Sequence, residues 1–142
     1  MRAEASRDIP ASRDQLWGFL AEPYHLSDWW PGVAAVHPDR RGLMPGARWE
    51  LTGPSQPTLF HGANPRGMLV VGRVDPYERV TWSLLDQRLE VEVRLTTLAP
   101  ERTRVTVAIE GPWRPEVLGR PRSLPRKAVA RLHALVQTAA GL

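Results

Sequence analysis

The sequence predicts an α+β fold in which an antiparallel sheet packs its dry face against a long C-terminal helix, and three observations carry that expectation. Residues 33–109 break into short runs of period two, separated by Pro, Gly and charged turn residues. Residues 124–140 switch to a helical period with one apolar stripe. That stripe needs a partner surface, and the only one of matching size is the dry face of the sheet. The chain has 142 residues, 42% hydrophobic and 24% charged. Such a chain suits a single domain over residues 1–142, since a second would need roughly 100 more residues.

The elements follow in order. Ala3, Ala5, Arg7 and Ile9 alternate with Glu4, Ser6 and Asp8 ahead of Pro10, the pattern of a short edge strand of weak hydrophobic contrast. Ser12 and Gln15 have the spacing of a capping box and open a helix whose apolar face is Leu16, Trp17, Phe19 and Leu20, until Pro23 stops it. Tyr24, Leu26 and Trp29 recur at short-helix spacing before Pro31 and Gly32 break the chain. Val33 to His37 reads as a weak strand, Trp49 with Leu51 as another, and Met68 to Val74 as a third, turning at Asp75 and Pro76 into Val80, Trp82 and Leu84. Leu89, Val91, Val93 and Leu95 then face one way while Arg88, Glu90, Glu92 and Arg94 face the other, one side dry and one wet. Thr103, Val105, Val107 and Ile109 repeat that alternation after the turn at Pro100, which predicts an antiparallel hairpin. Last, Leu124, Ala128, Val129, Leu132, Leu135, Val136 and Ala139 fall on one side of a helix over Leu124 to Ala140.

Composition and motifs exclude several classes of function. There is no Cys, so thiolate zinc sites, iron–sulfur clusters, a cysteine nucleophile and disulfides are excluded, and a reducing cytoplasm is compatible. The longest apolar run, Met68 to Val71, falls far short of the ~20 residues of a membrane span. The N-terminus lacks the apolar core of a secretory signal, so the expectation is a cytoplasmic chain starting near Met1. No Gly-rich phosphate loop, Ser elbow, paired-His helix or acidic calcium loop occurs. His25, His37, His61 and His133 lie far apart, so neither a metal nor another cofactor is expected. The net charge is +4, and Arg114, Arg120, Arg122, Arg126, Lys127 and Arg131 cluster near the C-terminus with only Glu116 among them. They read as a solvated helix face, and nucleic acid is not the expected partner because no helix-turn-helix pattern accompanies them.

The order of elements, with the segments IPASRDQLWGFLAEPYHLSDWWPGV, PGARWEL, VDPYERVTWSL and TRVTV ahead of a terminal helix, resembles the START-like SRPBCC superfamily, and within it the polyketide cyclase/dehydrase-like branch. The resemblance covers nearly the whole chain and rests on spaced apolar and turn residues, which inform about fold more than activity. It implies the helix-grip fold, with about six or seven strands and an internal cavity between sheet and C-terminal helix for a small hydrophobic or aromatic ligand, lipid- or polyketide-like. One alternative it implies is a cyclase or dehydratase in which His61, Tyr77 or an Arg moves a proton or stabilises an anion. Another is a protein-interaction module, like the chaperone-activating members, that uses an exterior patch.

A twisted sheet gripping one helix cannot fill its concave side unless large side chains intrude. Trp29, Trp30, Trp49, Phe60 and Trp82 are the expected intruders and ligand contacts, with Trp17 a further core aromatic. Val91 and Val93 from the sheet and Leu132 and Val136 from the helix complete the expected lining. Because adjacent helical residues point in different directions, one of Trp29 and Trp30 is expected to face the core and the other a pocket rim or contact surface. His133, at the border of the helical stripe, is expected to be solvated. The segment Gly53 to Arg66 holds His61 beside the apolar pair Leu59 and Phe60, and reads as a lid over the cavity mouth. A homodimer is compatible with this reading, although no residue pattern encodes an oligomeric state.

Overall fold

Alternating strands and an amphipathic terminal helix assemble as their patterns require in the computed structural model, which describes residues 1–53, 66–112 and 120–140. The strands are β1 (Arg2–Ile9), β2 (Ala35–Pro38), β3 (Arg48–Thr52), β4 (Arg66–Asp75), β5 (Arg79–Leu84), β6 (Leu89–Ala99) and β7 (Arg102–Glu110). The helices are α1 (Arg13–Ala21), α2 (Leu26–Trp29) and α3 (Arg120–Ala140), with a 3-10 turn over Pro23–His25. The strands form one seven-stranded sheet in the order β1-β7-β6-β5-β4-β3-β2, with every neighbouring pair antiparallel. From β2 to β7 each strand pairs with its successor. β1 instead lies beyond β7 and forms a sheet edge, with Arg2 opposite Glu110 and Ile9 opposite Thr103.

Register explains why one face is dry. Val91 lies opposite Ile109, Val93 opposite Val107 and Leu95 opposite Val105, so the apolar sets of β6 and β7 share a face. β5 continues the row, with Trp82 opposite Val91 and Leu84 opposite Leu89. All of these are buried. The other face carries Arg94, whose guanidinium lies 3.0 Å from Glu4 and 2.9 Å from Glu92, and Arg104, whose Nε donates to Asp8 at 2.8 Å. The hydrogen bond from Arg104 holds the Asp8 carboxyl below its ordinary 3.8. Within β4 the register shifts between Val71 and Val74. A Cβ on Gly72, inside that irregularity, would lie 2.7 Å from Thr81 Oγ1, an atom that already accepts from Arg73 N at 2.8 Å.

α1 begins with the expected capping box: Gln15 N donates to Ser12 Oγ at 3.2 Å and Ser12 N donates to Gln15 Oε1 at 3.0 Å. α3 starts about one helical turn before the expected Leu124, which places Pro125 inside the helix. Ala128, Val129, Leu132 and Val136 are buried as the stripe requires. Ala139 is exposed, because the stripe continues past the surface it packs on. That surface is made by β1 and β7, with α2 alongside. The buried Thr103 Oγ1 donates to Ala11 O at 2.8 Å, tying β7 to the link between β1 and α1.

Candidate functional site

Between the sheet and α3, the segment ending α2 inserts two large side chains. Trp29 is the last residue of α2, and Trp30 is its C-cap with extended backbone, φ −84° and ψ 122°. The helical turning angle is therefore lost between them, and both indoles turn inward, Trp29 to 1% and Trp30 to 2% exposure. Both are buried because the helix that holds Trp29 ends before Trp30. Both rings meet Trp82 from β5 edge to face. Centroids are 5.7 Å apart for Trp29 and Trp30, 5.9 Å for Trp29 and Trp82, and 5.8 Å for Trp30 and Trp82. Trp49 is buried on β3, which β4 separates from β5, its Nε1 donating to Gly42 O at 3.2 Å. Trp82 Nε1 is equally buried, but no described oxygen or nitrogen accepts from it.

Next to this cluster, at the end of the sheet where β3 and β5 finish and β4 begins, lies a cleft of about 240 Å³. Its apolar walls are Trp30, Val33, Leu51, Met68 and Leu84, with Pro31 and Gly32 at one side and Asp86 and Gln87 at the other. Gly32 has φ +84°, which lets the chain turn sharply between Trp30 and Val33. Asp86 is fixed at the rim because its Oδ2 accepts from Met68 N at 2.7 Å. Gly67 leaves room for that carboxylate, since a Cβ there would come within 3.0 Å of it. Asp86 is the one ionisable group among the described residues of the lining.

The sequence-derived site residues divide unevenly. Trp30 lines the cleft, and Trp29 and Trp82 stand behind it. Trp49, Val91, Val93, Leu132 and Val136 are buried in the same hydrophobic core. Phe60, His61 and residues 54–65 of the expected Gly53 to Arg66 lid lie outside the described residues, while at its ends Gly53 lines the cleft and Arg66 begins β4. Tyr77 occupies the turn between β4 and β5, the length of β4 away from the cleft. It has φ 67°, is 46% exposed, and its ring sits 5.9 Å from that of Trp17 on α1.

His133 is half-buried where solvation was expected, because α3 lies against β1 and brings it to Arg7, whose Nε donates to His133 Nδ1 at 2.7 Å. Burial first, and the Arg7 charge second, hold its imidazole below the ordinary 6.5. Met68, Asp86 and Gln87 were missed by sequence reasoning. Their one signal, a polar pair between two apolar strand ends, is what any hairpin turn shows.

Among the described residues no group of three His, Asp or Glu is arranged to hold a metal ion, and no helix is long and apolar enough to cross a membrane. A family model described as Activator of Hsp90 ATPase homolog 1-like protein matches residues 10–123. No curated protein matches the sequence. Among solved structures, the AHSA1-like protein of Aeromonas hydrophila superposes with a TM-score of 0.74 at 16% identity, over 99% of this chain and 94% of that one. An uncharacterized protein of Bacillus thuringiensis gives a TM-score of 0.75 at 11% identity, over 96% and 99%. DynU16, of the dynemicin biosynthetic locus, gives 0.70 at 22% identity over 97% of this chain and 48% of its own, so the chain spans about half of DynU16. At such identities the likeness is one of fold.

Proposed function

This chain belongs to the Activator of Hsp90 ATPase homolog 1-like family, of SRPBCC-type fold, and from that premise we propose that it binds a small apolar or aromatic molecule in the cleft beside Trp30. The observation that supports this most is the cleft's make-up: five apolar walls and one carboxylate pinned by a backbone N–H at the rim. Small-molecule sites take this form, apolar for affinity with a few fixed polar groups for orientation. The walls come from four chain segments and share their backing with the hydrophobic core, so the site is preorganised by the same packing that holds the fold. Freedom from Cys suits work in the reducing cytoplasm.

Titration with naphthalene, flavone and palmitate, read by intrinsic Trp emission, tests the proposal, because Trp30 is part of the wall. Saturable change with at least one of these is expected, and Val33→Phe, which fills the cleft, should weaken it by roughly tenfold or more without lowering the melting temperature. No saturable response from the wild-type protein to any of them would remove the proposal.

A second reading, a docking surface for an acidic protein, is favoured by α3. That helix contains no Asp or Glu, and it exposes Arg122, Arg126, Lys127 and Arg131. Arg126→Glu with Arg131→Glu would abolish such an interaction and leave the ligand titration unchanged.

A further inference from the structure

We propose that the edge strand β1 is a docking surface for a second copy of this chain: two β1 strands pair antiparallel about a two-fold axis through Ala5 and join the two sheets into one. The strand lies at the opposite side of the sheet from β3 and β4, which hold the cleft, so the pairing leaves the cleft open and does not depend on its having a ligand.

The backbone shows which groups are on offer. Met1 N donates to Gly111 O at 2.7 Å and Gly111 N donates to Met1 O at 3.0 Å, so these two residues exchange both bonds of a hydrogen-bonded pair. Alternation along the antiparallel ladder then turns the N–H and C=O of Ala3, Ala5, Arg7 and Ile9 toward β7, and those of Arg2, Glu4, Ser6 and Asp8 away from it. Among the described residues β1 has β7 as its single strand neighbour, so the second set faces outward as a template for another strand.

The side chains select both the partner and the register. With the two-fold axis through Ala5, Arg2 lies opposite the partner's Asp8 and Glu4 opposite the partner's Ser6, and every outward N–H and C=O of both strands is bonded. Moving the axis to Glu4 sets Glu4 against itself, and moving it to Ser6 sets Glu4 against Asp8. Like charges directly opposite are destabilising, so both neighbouring registers are disfavoured. Each acid also keeps a cation of its own protomer, Glu4 accepting from Arg94 at 3.0 Å and Asp8 from Arg104 at 2.8 Å. The Ser6 hydroxyl, 2.8 Å from Thr106 Oγ1, accepts from that hydroxyl and donates to the Glu4 carboxylate across the seam. On the dry face the seam is lined by small side chains: Ala5 meets Ala5 at the axis, and Ala3 lies opposite Arg7, which leaves room beside α3, packed on β1 from that side. The charges that deter a foreign strand thus admit this chain's own copy in one register.

Sedimentation velocity and amide hydrogen exchange, run from about 1 to about 500 µM protein, test the pairing. A concentration-dependent rise from 15.9 kDa to twice that mass is expected. With it, the outward amides of Glu4, Ser6 and Asp8 should pass from fast to slow exchange, a wild-type readout that stands whether or not a variant folds. Arg2→Glu, at a side chain 63% exposed, puts like charges opposite each other at both ends of the seam and should weaken association roughly tenfold. Ser6→Lys supplies a cation opposite the partner's Glu4 and should tighten association roughly threefold, whereas in a register that sets Ser6 against itself it would weaken it. A protein that stays monomeric over this range, or a dimer whose Glu4, Ser6 and Asp8 amides exchange as fast as in the monomer, overturns the proposal. A Ser6→Lys dimer weaker than the wild type overturns the register through Ala5.

Discussion

Replacing Gly72 by Ala should destabilise the protein, and the reason can be reversed by a second substitution. The new Cβ would sit 2.7 Å from Thr81 Oγ1, closer than real contacts allow, and 3.5 Å from Thr81 O, which is ordinary contact. The conflict is therefore with one hydroxyl, not with the backbone of β5. Thr81 is stiff at χ1 and its Oγ1 is held by Arg73 N at 2.8 Å, so relief costs that hydrogen bond, about 0.5–1.5 kcal/mol, together with an off-rotamer side chain of similar cost. Against this, Gly→Ala lowers the entropy of the unfolded chain and gains about 0.4–1 kcal/mol. The net expectation is a loss of about 1 kcal/mol, a fall of roughly 3 °C in Tm. In a Thr81→Ala background the obstacle is gone, and Gly72→Ala should become stabilising by about 0.4–1 kcal/mol. Urea unfolding of the four proteins measures the cycle. If Gly72→Ala costs the same in both backgrounds, or stabilises the parent, the steric reasoning is wrong.

Leu132→Ala, at a fully buried position in the middle of the α3 stripe, should cost about 2–5 kcal/mol in urea unfolding, and a cost under about 1 kcal/mol would deny that α3 anchors the core. His133 sets a pH dependence whose sign follows from its lowered pKa: as pH falls through 6.5 the unfolded chain takes up a proton that folded His133, half-buried beside Arg7, resists. Stability should thus decline from roughly pH 7 to pH 5, and His133→Gln should flatten the decline; an unchanged slope in the variant would place the effect elsewhere.

The parts of this fold that were legible in the sequence are those encoded by neighbours a few residues apart. The alternation of Leu89 to Leu95 and Thr103 to Ile109 identified β6, β7 and their pairing. The Ser12 and Gln15 spacing identified the start of α1, because a capping box is a local exchange of two hydrogen bonds. That both Trp29 and Trp30 are buried was not legible, because their directions depend on where α2 ends, and the C-cap dihedral of Trp30 leaves no mark in residue type. His133 was misread for a tertiary reason: its exposure is decided by which strand α3 crosses, and Arg7 arrives from the other end of the chain. The cleft was illegible for the same reason. Trp30 to Val33, Leu51 to Gly53, Gly67 with Met68, and Leu84 to Gln87 each look ordinary, and only the sheet's end brings them together.

The placement of β1 beyond β7 has a consequence for how the chain acquires its structure. Partners in this pair are separated by 108 residues at Arg2 and Glu110 and by 94 at Ile9 and Thr103, whereas β6 and β7 meet across one tight turn. Closing the long loop costs on the order of 3 kcal/mol more chain entropy than closing the hairpin. During synthesis the first strand leaves the ribosome long before its partner exists, so the β2 to β7 meander can form while β1 waits. Until β1 docks, β7 is an open edge carrying Val105, Val107 and Ile109, a template for strand addition from another chain. Docking β1 covers that apolar edge and leaves outermost a strand that carries the charged Arg2, Glu4, Arg7 and Asp8.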